Sequence, residues 1–220
     1  MRHRAGRHAA TVSGRRVAGW AALAAGAGAL AAGTALAAGP GPTDAGALPA
    51  PATTSPPAAR EAQRSAGPLA VPAAPPTRVG IGAQRVDALV EPAGVLPGGE
   101  LAVPDDPDRL GWWIGSALPG AARGTVLVAG HVDSARSGPG ALFRLADLPL
   151  GSTIEVRAGD RTVRYRTVAR RSYAKTRLPA DLFRADGEPR LALVTCGGAF
   201  RDGAYERNVV VYAEPVSAAR

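Results

Sequence analysis

Thr125-Val126-Leu127-Val128-Ala129-Gly130-His131 is the stretch on which the reading of this chain turns. The first six residues carry no charge and are mostly apolar, as a strand buried on both faces requires, and a histidine stands directly after them. Leu191-Ala192-Leu193-Val194-Thr195 has the same character and leads into Cys196. Val209-Val210-Val211-Tyr212 is a third such run, preceded by Arg207-Asn208. Shorter runs lie upstream at 79–81 and 86–90, and another at 100–103 follows the Gly98-Gly99 turn signal. Residues 153–157 and 162–168 alternate, and the Gly159-Asp160 signal between them predicts a hairpin. Helical material is confined to short turns near 141–145 and 179–183. The pattern predicts an all-β domain, either a closed barrel or a sandwich.

Outward from that core, residues 77–217 have the length of one domain. Ten of the 20 prolines fall between Pro40 and Pro76. The stretch 39–76 is poor in aromatic and β-branched residues and is expected to be a disordered, extended linker. Residues 17–38 carry no charge and span about 33 Å as a helix, enough to cross a bilayer. They are expected to be a transmembrane anchor, or alternatively a signal segment cleaved after Ala35-Leu36-Ala37. Five arginines in the tail 1–16 place that tail on the cytoplasmic side and the domain outside the cell.

The formal net charge of +8 is concentrated in that tail, because residues 77–217 hold 18 basic and 16 acidic side chains. A nucleic-acid binder carries its basic excess in the folded domain, so that class of partner is excluded. Cys196 is the only cysteine, which rules out an intramolecular disulfide and leaves either an inert buried thiol or a reactive one. His131 is the only histidine beyond residue 8 and so the domain's only side chain of ordinarily near-neutral pKa. A thiol and an imidazole together suffice for acyl transfer, the thiolate attacking a carbonyl and the imidazole moving the proton. Arg207 is the candidate stabiliser of an oxyanion, with Arg201 in the same connection as the alternative. Gly197-Gly198 after the cysteine are expected to let a substrate backbone approach. Asp133 and Asp147 are too few for a calcium site, and no metal or other cofactor is expected.

These motifs resemble those of the sortases. Thr125 to His131 is similar to the catalytic-histidine strand, Leu193-Val194-Thr195-Cys196 to the Leu-x-Thr-Cys nucleophile strand, and Arg207 before Val209-Val210-Val211 to the active-site arginine. His131-Val132-Asp133-Ser134 and Cys196-Gly197-Gly198 are most similar to the actinobacterial sortases called class F. The resemblance covers about residues 77–217. It implies a closed eight-stranded β-barrel with short helices, anchored in the cell membrane with its catalytic domain extracellular. It also implies cleavage of an LPXTG-like sorting signal of secreted surface proteins through a thioacyl enzyme, and transfer to a peptidoglycan-precursor or pilin amine. Thr195 is expected to help position the substrate. The segment 172–189 is expected to cover the sorting signal, with Leu178, Pro179, Leu182 and Phe183 lining an apolar groove or plugging the core beneath it. Two rival readings are an L,D-transpeptidase-like peptidoglycan enzyme, whose usual Ser-x-Gly-Cys surroundings are missing here, and a non-catalytic wall-binding barrel.

Overall fold

The computed structural model describes residues 44–48, 74–97 and 99–216; the expected tail 1–16, the expected membrane segment 17–38 and most of the expected linker lie outside them. Among the described residues no helix is long and apolar enough to cross a membrane. In chain order the strands are β1 (Ala45–Gly46), β2 (Pro76–Ile81), β3 (Val86–Ala93), β4 (Leu110–Trp113), β5 (Thr125–Gly130), β6 (Asp133–Ser134), β7 (Gly138–Pro139), β8 (Thr153–Ala158), β9 (Arg161–Ala174), β10 (Arg190–Arg201) and β11 (Ala204–Pro215). Three short 3-10 turns, Gly82–Gln84, Leu145–Asp147 and Ala180–Phe183, complete the elements.

Eight strands close on themselves in the order β9-β11-β10-β5-β4-β3-β2-β8, the last pairing back onto β9. β3 with β4 and β5 with β10 are parallel, and the other pairs in the ring are antiparallel. The barrel therefore holds and the sandwich does not. β8 alternates as its sequence predicts, with Ile154, Val156 and Ala158 buried and Thr153, Glu155 and Arg157 exposed.

β5 is buried at every position because it has a core on each side. Val126 and Val128 point into the barrel among Leu110, Leu142, Leu191, Leu193 and Val211. Leu127 and Ala129 point outward into a second cluster with Ala192, Val194, Val210, Tyr212 and Leu182. That second cluster is roofed by the segment after β9, whose 3-10 turn carries Leu182. Arg190 fastens the roof at its far end, donating from Nη2 to the carbonyl oxygen and carboxylate of Asp181 at 2.8 and 2.9 Å.

Several expectations change. No strand forms at 100–103, where a single bridge joins Val95 and Leu101. The Val103 amide bonds back to the Leu101 carbonyl at 2.8 Å, a tight turn that takes the chain out of an extended ladder. β4 has only four residues, too few to show a period in the sequence. The expected linker is not free along its whole length: Ala45 and Gly46 pair with Arg170 and Ala169 of β9, on the edge that β8 has left. Arg171 donates to the Ala45 and Gly46 carbonyls at 2.7 and 2.9 Å, and Asp44 accepts the Ser172 amide at 2.9 Å.

Gly46 sits at φ +74°, and a Cβ there would lie 2.0 Å from the Val168 carbonyl oxygen. Gly46→Ala and Arg171→Met are therefore expected to release β1 and leave the barrel standing. Elastase should cut near Ala45 several-fold faster in both variants, with the melting temperature lowered by only a few degrees, about 2–4 °C per kcal/mol at this size. Unchanged cutting would mean that this clamp does not hold the segment.

Candidate active site

β5 and β10 run parallel with Val194 opposite Ala129, and both side chains face the outer cluster. Side chains two residues apart share a face. The ladder ends at that pair, and Cys196 and His131 each follow it two residues on in their chains. The two strands are locked together by Thr195, whose Oγ1 donates to the Gly130 carbonyl at 2.9 Å in a buried setting. The Thr195 side chain, expected to help position a substrate, is buried and its hydroxyl is bonded within the barrel. Cys196 and His131 themselves are half-buried.

Cys196 does not end its strand, as the sequence suggested. β10 runs on to Arg201 and turns back into β11, with an irregularity between Gly197 and Phe200. Asp202 and Gly203 both have positive φ, 49° and 81°, the signature of a tight two-residue hairpin. The Asp-Gly pair was the available sequence signal for this hairpin, and the reading passed over it.

The glycines after the cysteine serve the protein's own packing. A Cβ on Gly197 would meet Val209 Cγ2 at 2.7 Å. Gly198 has φ +79°, and a Cβ there would lie 3.0 Å from Arg207 Cγ, so the Arg207 stem runs across it.

Arg207 pairs with Gly197 and Asn208 with Cys196. Asn208 thus shares the cysteine's face, while Arg207 shares the face of Val209 and Val211. Its guanidinium is committed to Ser172 of β9, Nε to Oγ at 2.6 Å and Nη2 to the carbonyl oxygen at 2.7 Å. Arg201 lies on the surface, paired with Glu206 at 2.9 Å.

The side chain that does reach the thiol is Lys175, which sequence reasoning did not single out. Its Nζ lies 2.8 Å from Cys196 Sγ. Its backbone is fixed to β11 by two bonds, the amide to the Glu206 carbonyl and the carbonyl to Asn208 Nδ2, both at 3.1 Å. That lysine is the only one in a chain with 25 arginines, which was the available signal.

The roof residues divide. Leu182 is fully buried and belongs to the core beneath, so it offers no surface to a ligand. Leu178 and Pro179 are half-buried, and Leu178 packs against the outer cluster. Phe183 is exposed, edge-on to Trp113 at 5.4 Å between ring centroids.

On the other flank of the site, the Tyr205 hydroxyl donates to Asp133 Oδ2 at 2.5 Å, tying the β10–β11 hairpin to the turn that follows His131. That bond pushes the phenol up to about 12, with burial and the charges of Asp133 and Cys196 acting in the same direction. Because the folded value exceeds the ordinary value of 10.0, the folded state holds this proton more tightly than the unfolded chain. The stabilisation is complete below pH 10 and disappears as the pH rises through about 12. In urea melts, the stability difference between the parent chain and Tyr205→Phe is accordingly expected to be level from pH 8 to 10 and to shrink above that. A difference that stays level beyond pH 12 would show that the bond to Asp133 is not its source.

Comparison with known proteins bears on the fold and the family. The sortase domain model matches residues 85–216. No protein with a curated description matches the sequence. Among solved structures, sortase A from Corynebacterium diphtheriae is similar at 18% identity and a TM-score of 0.51, over 66% of this chain and 63% of that one. The chain thus spans less than two thirds of that relative's length. Sortase C1 from Streptococcus agalactiae is similar at 20% identity and a TM-score of 0.52, over 65% and 68% of the two chains. Sortase C-1 from Actinomyces oris is similar at 18% identity and 0.51, over 64% and 73%. At these identities the structures speak for the barrel alone, but the matched domain takes in His131, Cys196 and Arg207 within one continuous span, and the chain belongs to the sortase family.

Proposed function

We propose that this chain is a cysteine transpeptidase of class F type that cleaves an LPXTG-like sorting signal. One observation carries the reading: β5 and β10 are parallel neighbours, and the only cysteine and the domain's only histidine each follow two residues after the last paired positions, at the end of an outer apolar cluster. The Cys196 thiolate attacks the carbonyl carbon of the Thr–Gly bond. The C–N bond breaks as His131 gives its proton to the leaving amine, and a thioacyl enzyme remains. A peptidoglycan-precursor or pilin amine then attacks the thioester, passing a proton to His131 and releasing the thiolate. Leu178, Pro179 and Phe183 are the roof side chains with surface to offer the signal, and Leu182 supports them from below. Of the two arginines, Arg207 serves the site: it lies against Gly198, two residues from the nucleophile, and is rigidly held by Ser172. The sequence at 17–38 supports an anchored enzyme working outside the cell membrane.

The test is to incubate the purified chain with LPXTG-type peptides and hydroxylamine and to look for the peptide hydroxamate by mass spectrometry. The parent chain is expected to form it and Cys196→Ala to form none while keeping the parent circular dichroism. On the same peptide Arg207→Ala is expected to lower kcat by about 10²-fold, the scale of losing a rigid donor. Arg201→Ala should cost less than about tenfold, as an exposed ion pair does. Acylation by a carbapenem in place of the peptide would favour the L,D-transpeptidase reading.

A further inference from the structure

The cation in hydrogen-bond contact with the thiol is a lysine. Arg207 has two of its guanidinium nitrogens on Ser172 and lies on the face opposite Cys196 in the β10–β11 register. Lys175 stands on the cysteine's own face, reached through Asn208, the register partner of Cys196. Its position is built. β9 ends at Ala174, and the next residue is held to β11 through both its amide and its carbonyl. The ammonium is left 2.8 Å from Sγ. Everywhere else in the chain a basic position is filled by arginine. A guanidinium is a broad planar fork, whereas an ammonium is a compact point charge that approaches a single sulfur end-on.

We propose that Lys175 is the positive partner of Cys196, pairing with its thiolate in the resting enzyme and remaining beside the reacting carbon as negative charge moves from sulfur to the carbonyl oxygen. Two chemical consequences follow. The negative charge of the nucleophile is balanced before a substrate arrives. The amine closest to the future thioester is an ammonium with no free electron pair, so it does not take the acyl group in place of the external acceptor. No proton leaves Lys175 in this scheme, and His131 carries all proton transfer. The role in catalysis rests on the transpeptidase reading above; the charge pairing does not.

The pairing is tested without any peptide substrate. Second-order alkylation rates of Cys196 are measured with anionic iodoacetate and neutral iodoacetamide at low salt, on the full chain. A positive charge at the sulfur raises the iodoacetate-to-iodoacetamide ratio, by about fivefold for one charge about 4 Å away in a water-like medium. Lys175→Met is expected to lower that ratio by about fivefold. Lys175→Arg should retain most of it. Arg177→Met, which removes an exposed charge two residues on, should leave it within about twofold. Raising the salt to 1 M should shrink the parent's ratio toward that of Lys175→Met. Circular dichroism confirms folding, and the Arg variant keeps the test valid if Met disturbs the loop. An unchanged ratio in Lys175→Met, or an equal fall in Arg177→Met, overturns the pairing. If the ratio falls as expected but the parent chain forms no hydroxamate, the pairing stands and the sorting-signal reading is the part that fails. If the parent does form hydroxamate, Lys175→Met should reduce kcat at least tenfold with KM little changed, and an unaltered kcat would overturn the catalytic role.

Discussion

The parallel contact between β5 and β10 is the constraint on which the rest of this protein depends. Neither strand is next to the other in sequence, so only the closed ring brings them together, and their register sets Val194 against Ala129. The Thr195 hydroxyl then bonds the Gly130 carbonyl one position beyond that pair. A buried hydroxyl bonded to a buried carbonyl resists slippage, because a one-residue shift would leave both groups unpaired and would turn every side chain to the wrong face. In the proposed mechanism that lock is what sets Cys196 against His131.

The two-sided burial of β5 has a functional consequence. A barrel needs only its interior filled, yet here the outer faces of β5, β10 and β11 are covered as well. The cover is pinned at its far end by Arg190, which also lies over the Tyr212 ring at 5.3 Å. Its near end starts at Lys175, against the thiol. Burial pushes the Tyr212 phenol well above its ordinary value, and its bond with Tyr173 acts in the same direction, so Tyr212 keeps its proton and the two hydroxyls brace the cover. An apolar cluster that ends at a half-buried thiol is the surface on which the proposed extended peptide would lie.

Much of this was legible in the sequence. The apolar runs at 125–130 and 191–195 had to be two-sided strands, and the residue after each is a candidate for chemistry. What was hidden depended on pairing partners. Alternation alone could not tell that Arg207 faces Ser172, because the face of a side chain relative to Cys196 is set by the β10–β11 register. It could not tell that Leu182 plugs the outer core while Phe183 beside it is exposed, because a 3-10 turn has no strand period. The Asp202-Gly203 turn and the lone Lys175 were visible, but only the bonds of Lys175 to β11 set that lysine beside the thiol. The short strand at Ala45–Gly46 was masked by the proline-rich composition around it, since its stability comes from Arg171 and not from its own residues.

The central claim is geometric: Cys196 and His131 stand side by side on one face of adjacent strands. The direct measurement is cross-linking of the His131→Cys chain, which then holds two cysteines and no others. Neighbouring strands set α-carbons about 5 Å apart, within the span a disulfide bridges. Mild oxidation is predicted to close an intramolecular disulfide, read as the loss of two hydrogens and of both free thiols, at a rate independent of protein concentration. Two thiols that both remain free to label, or that link only between molecules, would contradict the account.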